Sequence, residues 1–398
     1  MANTLLTVDK ITREALRILH QKVTFIGTIN RAYDDSFANE GAKIGDTLRI
    51  RLPNRYTVRT GAAINVQDTA EAQVSLQVAT QKGVDVNFTT KELTMELDDF
   101  SERILAPAMS VLAADIESDA LSMRNDVYNI VDNDASALTF LNVLQGRQKL
   151  NESLAPSDNS RTALLSNSHT ATFVDALKGL FNDQGRIAEQ YREGEMGRTA
   201  AFMFAESSLV DEHTTGTAAK GDTSYNIDGA TEAGSSVTVD TGSTTFLIGD
   251  IVTFAGCNRV HPESKVDTGS LKTFVITANS GTSATSLAIS PDIVVTGAKQ
   301  NVTAFPTDNG IVAKISAGNG ELYSGSVVYH KDAFTFATAD LLMPDGVDFA
   351  RREVFDGISM RIVRQYDINN DKMPTRIDIL YGFKTIRAEL ACRVHADG

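Results

Sequence analysis

Apolar residues at helical spacing open the chain. Val8, Ile11, Ala15 and Leu19 recur at three- and four-residue steps, which predicts one short amphipathic helix. The polar residues that follow this helix show no clear period. Residues 1–43 are therefore interpreted as an N-terminal arm that leads into the fold.

Residues 44–90 alternate between apolar and polar positions, which is the period of half-buried strands. The apolar positions are Leu48, Ile50, Leu52, Val74, Leu76, Val78, Val84, Val86 and Phe88. Between the first two strands, residues 55–72 are polar and offer little to bury, so the pattern predicts a long projecting hairpin. Because such a hairpin is only marginally stable alone, we expect it to rest on another subunit.

Residues 91–135 return to helical spacing. The apolar face is formed by Leu105, Met109, Leu112, Ile116, Met123 and Val127, again at three- and four-residue steps. Pro107 suits the first turn of a helix, and a helix from Pro107 to Val131 would be roughly 37 Å long at 1.5 Å per residue. We interpret this helix as the structural spine of the fold.

The remainder of the chain alternates between α/β and all-β material. Residues 136–212 and 319–350 show short helices and apolar strands, which predicts two parts of one α/β domain. Between them, residues 213–318 are rich in Thr, Ser and Gly with short apolar runs, which predicts an inserted β-barrel or sandwich. Alternations in residues 351–398 predict an antiparallel sheet packed on the spine helix. The predicted fold class is therefore α+β.

Composition describes a foldable chain with an acidic balance. The 398 residues are 42% hydrophobic and 22% charged, and the formal net charge is −14 at pH 7. This composition excludes a disordered chain, and scattered Lys and Arg weigh against a surface that coats nucleic acid. No apolar run approaches the roughly 20 residues that span a bilayer, and no signal peptide is recognisable. We therefore expect no membrane contact and synthesis in a cytoplasm.

No arrangement of residues predicts catalysis, a cofactor or a metal. The six histidines are spread along the chain without metal-ligand spacing. Asp367, Asn369 and Asp371 match the opening ligands of a calcium-binding loop, and Asp378 falls at its twelfth position. Lys372 replaces the glycine of that loop and Pro374 interrupts it, so a hairpin turn is favoured. The two cysteines are far apart in sequence, and we expect both to be buried small side chains.

Four arginines are the candidate residues of a subunit interface. Arg55 and Arg59 lie in the polar tip of the predicted hairpin, and Arg351 and Arg352 form an adjacent pair. An arginine pair can bind a phosphate or a partner carboxylate, and a solvated surface is an equally good interpretation. We treat the four as hypothetical interface residues.

The order of these regions resembles a known family. Arm, hairpin, spine helix, α/β domain, inserted β-domain and closing sheet follow one another as in the HK97-type coat proteins of tailed bacteriophages. The insertion is similar to the Ig-like or telokin-like domain of the P22-like coat proteins. Three stretches are similar to that family: residues 249–256 (GDIVTFAG), 330–334 (HKDAF) and 378–383 (DILYGF).

The resemblance implies names for the segments and a role in assembly. The names are N-arm (1–43), E-loop and P-domain strands (44–90), spine helix (91–135), A-domain (136–212 and 319–350), inserted domain (213–318) and P-domain sheet (351–398). The family forms pentamers and hexamers, assembles with a scaffolding protein and encloses double-stranded DNA. The resemblance also implies a portal protein at one vertex, a location in the virion and no cofactor.

Two other classes of function remain open at this point. A tail component or β-rich adhesin suits the Thr/Ser/Gly-rich middle of the chain but not the spine helix. An enzyme with an unfamiliar site would need a pocket that holds acid groups. The sequence contains no Trp, which counts against a carbohydrate cleft.

Overall fold

The chain divides into two compact units. The computed structural model describes residues 8–32, 47–64, 66–68, 71–88, 104–177, 198–210, 212–221, 224–240, 242–315, 318–355, 358–369 and 372–397. Unit 1 comprises Met1–Arg51, Gln73–Leu121 and Phe334–Ile386, and unit 2 comprises Leu52–Ala72, Ser122–Ala333 and Arg387–Gly398. Residues 33–43 of the predicted arm and 91–103 of the predicted spine segment lie outside the described residues.

Helices and strands alternate along the described residues. The helices are α1 (Val8–Lys22), α2 (Phe25–Thr28), α3 (Ala106–Leu121), α4 (Phe140–Glu152) and α5 (Asn167–Leu177). The strands are β1 (Thr47–Arg51), β2 (Gln73–Gln77), β3 (Thr80–Phe88), β4 (Ile130–Ala137), β5 (Arg161–Leu165), β6 (Arg198–Thr199), β7 (Phe202–Glu206), β8 (Glu212–Thr214), β9 (Gly234–Thr238), β10 (Ile251–Val260), β11 (Asp267–Ile276), β12 (Ser286–Ile293), β13 (Val312–Lys314), β14 (Leu322–Ser324), β15 (Val327–His330), β16 (Phe334–Ala339), β17 (Phe349–Phe355), β18 (Ile358–Arg364), β19 (Met373–Thr385) and β20 (Ala391–Asp397). This mixture confirms the predicted α+β class.

The arm of unit 1 is held by a buried carboxylate. The predicted helix is present as α1, and it buries Ile11 and Leu19. Beyond it, Glu117 of α3 accepts hydrogen bonds from the backbone N–H groups of Thr24 at 2.6 Å and Phe25 at 3.0 Å. These groups open α2, where backbone donors lack a partner within the helix. Glu117 therefore ties the arm to the spine helix.

The spine helix is shorter than predicted. α3 begins at Ala106, so Pro107 lies in its first turn as expected, and its 16 residues span about 24 Å. The chain continues as a 3-10 turn over Ser122–Asp126 and then as β4. The prediction of helix as far as Val131 is wrong, because the β-branched Ile130 and Val131 are buried in β4, where they pair with β20.

The predicted hairpin is confirmed. β1 and β2 pair antiparallel, with Leu48 opposite Leu76 and Ile50 opposite Val74. The segment that joins them, Leu52–Ala72, falls in unit 2, and we call it the hairpin tip.

The main sheet of unit 1 packs on the spine helix, as predicted. Its strand order is β16-β19-β18-β17, and β3 pairs with β19. Lys82 of β3 lies 2.7 Å from a carboxylate oxygen of Asp115 and 2.8 Å from one of Asp119, both on α3. The hydroxyl of Tyr381 on β19 donates to Asp119 at 2.5 Å. These polar contacts fix α3 against the sheet.

The last strand of the chain does not join that sheet. The sequence predicted that residues 386–394 would close the sheet of residues 351–398. After a 3-10 turn over Ala388–Leu390, β20 instead lies in a six-stranded sheet of unit 2, in the order β4-β20-β15-β5-β7-β6. The alternation correctly predicted a strand, but alternation cannot specify the neighbour with which a strand pairs.

The Thr/Ser/Gly-rich region forms a closed β structure. Strands appear in the predicted runs, and they pair antiparallel in the order β13-β10-β11-β12-β9. The N–H of Ile227 donates to the carbonyl of Gly310 at 2.8 Å, and the N–H of Asp228 donates to the carbonyl of Thr238 at 3.0 Å. Residues 225–228 therefore join the two edges of the sheet and close it into a barrel.

This barrel has its own core and a narrow connection. Its buried cluster is drawn entirely from residues 218–312. At the base, β8 pairs antiparallel with β14, and Glu212 lies opposite Ser324, so the two ends of the segment meet. Adjacent ends are typical of a domain inserted into a loop. The Ig-like or telokin-like identity of this region stays a prediction.

Candidate subunit interface

The hairpin tip is ordered by contacts between its two limbs. The side-chain amide of Gln67 accepts from the N–H of Thr57 at 2.8 Å and donates to the carbonyl of Thr57 at 2.6 Å. The guanidinium of Arg59 donates to the carbonyl oxygens of Gly61 and, at 3.0 Å, of Ala63. Arg59 thus serves the turn itself, and its role at an interface stays a prediction.

The hairpin tip also carries four exposed apolar side chains. Tyr56 is 57% exposed, Val58 97%, Ile64 83% and Val66 82%. The sequence interpretation described this segment only as polar and missed these residues, because they form two short pairs among polar neighbours and not a longer alternating run. Apolar side chains concentrated on one exposed segment are a feature of interaction surfaces.

Arg55 has a partner within its own chain. Its guanidinium lies 3.5 Å from Glu389, which also pairs with Arg387 at 3.1 Å. These side chains are partly exposed, so each pair contributes little to stability. The contact of Arg55 with another subunit stays a prediction.

Arg351 and Arg352 lie on β17, an edge strand of the unit 1 sheet. Arg351 pairs with Glu353 and Arg352 with Asp340, each at 3.1 Å, and Arg13 of α1 also pairs with Glu353 at 3.1 Å. The two neighbouring arginines therefore contact different carboxylates and do not form one anion site. Their role at an interface also stays a prediction, and they lie in a different compact unit from Arg55 and Arg59.

The described residues of the calcium-like stretch connect β18 and β19, and its residues 370–371 lie outside the described residues. Asp367 bridges Lys372 across the turn. Asp378 is buried on β19, and its two carboxylate oxygens lie 2.7 Å from Arg361 and 2.7 Å from Arg376. Because both oxygens already contact guanidinium groups, Asp378 stabilises the strand pair, which agrees with the hairpin interpretation.

The two cysteines have a structural role, and the described residues offer no metal site. Cys257 and Cys392 are buried free thiols, and burial raises the pKa of each to about 12, so both remain protonated at neutral pH. Over the part of the chain that the structure describes, no group of three or more His, Cys, Asp or Glu side chains is placed to hold a metal ion. In the same residues, no helix is long and apolar enough to cross a membrane.

Comparison with known protein families identifies the family of this chain. The family model described as "P22 coat protein - gene protein 5" matches residues 21–393. The chain belongs to the P22 coat protein family. This membership confirms the resemblance seen in the sequence, and the chain is a major capsid protein of a bacteriophage. No curated protein matches its sequence.

Several solved structures are similar to this coat protein. The structure described as "Mycobacterium phage Che8" has a TM-score of 0.49 and 10% identity, covering 94% of this chain and 90% of that chain. The asymmetric unit of the bacteriophage PhiM1 mature capsid has a TM-score of 0.42 and 11% identity, covering 88% and 82%. A virus-like particle from Pyrococcus furiosus has a TM-score of 0.37 and 7% identity, covering 97% and 98%.

Proposed function

We propose that this coat protein assembles with copies of itself into pentamers and hexamers, which close into an icosahedral shell around double-stranded DNA. A separate scaffolding protein directs the assembly, and a portal protein occupies one vertex. The chain is made in the host cytoplasm, acts in the virion, and has a structural rather than a catalytic role. The observation that carries this proposal is the exposed apolar hairpin tip on a member of a coat-protein family.

The hairpin tip is the proposed contact with a neighbouring copy. Burying an exposed aliphatic or aromatic side chain is worth about 1.5–3 kcal/mol, so the tip supplies a modest contact in any one pair of subunits. A closed shell repeats the same contact many times, because symmetric assemblies reuse one interface. Weak repeated contacts can therefore add up to a stable shell.

The charged candidates would act at the rims of such contacts. Arg55 and Arg59 lie on the tip, and Arg351 and Arg352 lie on the edge strand β17. Their partners within the chain are partly exposed carboxylates, which leaves room for an additional acidic partner. Rim charges affect the rate and specificity of association more than affinity.

Charge supports enclosure of DNA without tight binding. The net charge of −14 repels the phosphate backbone over distances of a Debye length. The family membership favours this role over that of a tail component or adhesin.

The test is to make the tip polar in the presence of the scaffolding protein. Val58→Asp combined with Ile64→Asp should leave the circular dichroism spectrum and melting temperature of the chain unchanged, because both side chains are exposed. Assembly should fail, and the protein should sediment as small species in a sucrose gradient. The matched control is Leu141→Asp, an exposed apolar residue of α4 outside the tip, which should still give shells. A normal yield of shells from the tip variant would overturn the proposed contact.

A further inference from the structure

Three histidines that are far apart in sequence meet in the interior of unit 2. His169 of α5 and His395 of β20 are fully buried, and His213 of β8 lies at the edge of the same region. Arg124, from the turn after α3, and Arg393 of β20 are buried beside them. We call these five residues the histidine cluster. The sequence did not reveal the cluster because it is made by the fold and not by a local motif.

The contacts of His169 match its neutral form. Its Nε2 lies 3.0 Å from the carbonyl oxygen of Ala396, which can only accept, so Nε2 carries the proton. Its Nδ1 lies 2.6 Å from the hydroxyl of Ser326, so Nδ1 accepts from that hydroxyl. The same hydroxyl oxygen accepts from the N–H of Ser166 at 3.0 Å. A second proton, on Nδ1, would remove the acceptor of the Ser326 hydroxyl proton. That hydroxyl would have to turn away and accept from Nδ1 as well as from Ser166, so its proton would need another partner in the buried network.

His395 lies in a positively charged environment. Arg393 shares its strand, and Arg124, His169 and His213 all act on it electrostatically. Asp132 stands opposite His395 in the neighbouring strand β4. That carboxylate already pairs with Lys220 at 2.5 Å.

His213 faces a second carboxylate, one oxygen of which binds backbone N–H groups. Its Nε2 lies 3.6 Å from one oxygen of Asp250. The other oxygen of Asp250 accepts from the N–H groups of Gly216 and Leu247, each at 2.9 Å. Lys314 also acts on this carboxylate. Four basic side chains therefore surround the three imidazoles, together with two carboxylates. The basic residues are Arg124, Arg393, Lys220 and Lys314, and the carboxylates are Asp132 and Asp250.

Burial lowers the pKa of all three histidines, and neighbouring positive charge adds to this effect at His395. Burial, followed by the charge of Arg393, holds the pKa of His395 well below its usual value. Burial also lowers the pKa of His169, against the hydrogen bond to Ala396. Burial lowers the pKa of His213 in spite of Asp250.

We propose that the histidine cluster is an acid-sensitive latch, which holds the C-terminal strand β20 against Ser326 and α5 at neutral pH and releases it in mild acid. β20 lies between β4 and β15, and the N–H of Val394 donates to the carbonyl of Ser326 at 2.9 Å. Protonation of the cluster would therefore loosen the second strand of the six-stranded sheet, between β4 and β15, before the rest of the chain unfolds.

The direction of the pH effect follows from the lowered pKa values. A histidine released into water has a pKa of 6.5, so the open state takes up protons that the closed state excludes. The closed state loses no stability above pH 6.5, and it loses stability progressively as the pH falls below that value. Each proton taken up on opening raises the opening constant about tenfold per pH unit.

Hydrogen exchange of the β20 amides tests the latch in the full, unassembled chain. Protection factors, corrected for the intrinsic pH dependence of exchange, should fall about tenfold or more per pH unit between about pH 6.5 and pH 5. In His169→Gln and His395→Gln the slope should decrease, because glutamine hydrogen-bonds but does not titrate. The matched control is His330→Gln, a buried histidine of β15 that contacts Asp158 outside the cluster. This control should keep the full slope.

Two results would overturn the latch. The first is protection in β20 that does not change with pH in the unaltered chain. The second is a full slope in the His169→Gln and His395→Gln variants, equal to that of the His330→Gln control. If the variants fail to fold, a histidine-selective carbon-13 titration of the unaltered chain decides the question. The latch predicts that His169 and His395 titrate only together with changes in β20 signals, and normal titration near pH 6.5 with unchanged β20 signals contradicts it.

Discussion

Two buried lysines of the inserted barrel show that burial alone does not determine the role of a residue. Lys272 of β11 places its ammonium 4.0 Å from the centre of the Tyr128 ring, and burial lowers its pKa to about 7. Lys314 of β13 instead donates to the carbonyl oxygens of Gly216, Ala218 and Gly318 at 2.9–3.0 Å. The ammonium of Lys272 therefore lies against an aromatic ring in a buried site that disfavours its charge. The ammonium of Lys314 instead donates three hydrogen bonds.

Replacement by methionine should therefore have opposite effects at the two sites. Lys272→Met should raise the melting temperature at pH 7, because the folded state no longer holds a charge that it disfavours. Lys314→Met should lower the free energy of unfolding by at least about 1–3 kcal/mol, since it leaves buried carbonyl groups without a donor. Thermal unfolding of both variants beside the unaltered chain measures the two effects. A loss of stability in Lys272→Met as large as that in Lys314→Met would contradict this account.

The same lysine predicts a pH dependence. In the unfolded chain Lys272 titrates at 10.5, but in the folded chain it titrates at about 7. Between these values the unfolded state binds the extra proton, so the free energy of unfolding contributed by this group rises with pH. The melting temperature of the unaltered chain, compared with that of Lys272→Met, should therefore improve from pH 7 toward pH 9. A constant difference between the two proteins over this range would show that Lys272 is charged in the fold.

At the scale of elements, the inserted barrel should fold without the rest of the chain. Its core is drawn from its own residues, its sheet is closed by residues 225–228, and its ends meet at β8 and β14. We expect a fragment of residues 212–324 to unfold cooperatively, as judged by circular dichroism. Phe254→Ala, which removes a buried ring, should cost about 3–5 kcal/mol and abolish or strongly weaken that transition. A fragment without a cooperative transition would show that the barrel depends on the α/β sheet.

Helices and strands with a clear apolar period were predictable from the sequence. The distant elements with which they pair were not. The period of Ile11 and Leu19 predicted α1, and the alternation around Ile50 and Leu76 predicted the β1–β2 hairpin, because one face of each is buried. The end of α3 and the position of β20 were mispredicted, because both depend on the pairing of β20 with β4, which is distant in sequence. β17 was not predicted as a separate strand, since its edge position leaves it without a strong apolar face.

The candidate site was predictable only in part. Arg55 and Arg59 were placed correctly on a hairpin tip, but the exposed apolar residues around Val58 were not recognised. The histidine cluster was missed altogether, because His169 and His395 come together only through the fold. Local sequence patterns report which face of an element is buried, and they carry no information about which distant residues share a site.

At the scale of the whole molecule, the family membership and the hairpin tip lead to one central claim. The chain belongs to the P22 coat protein family, and the proposed function is closure into an icosahedral shell. Its acidic balance of −14 is compatible with a wall around DNA, since like charges prevent tight binding to the phosphate backbone.

The most direct test of this claim is electron microscopy of the purified chain, expressed with and without the scaffolding protein of the same phage. The account predicts closed shells of uniform size with the scaffolding protein, and irregular shells, tubes or capsomer rings without it. A chain that remains strictly monomeric under both conditions would contradict the account.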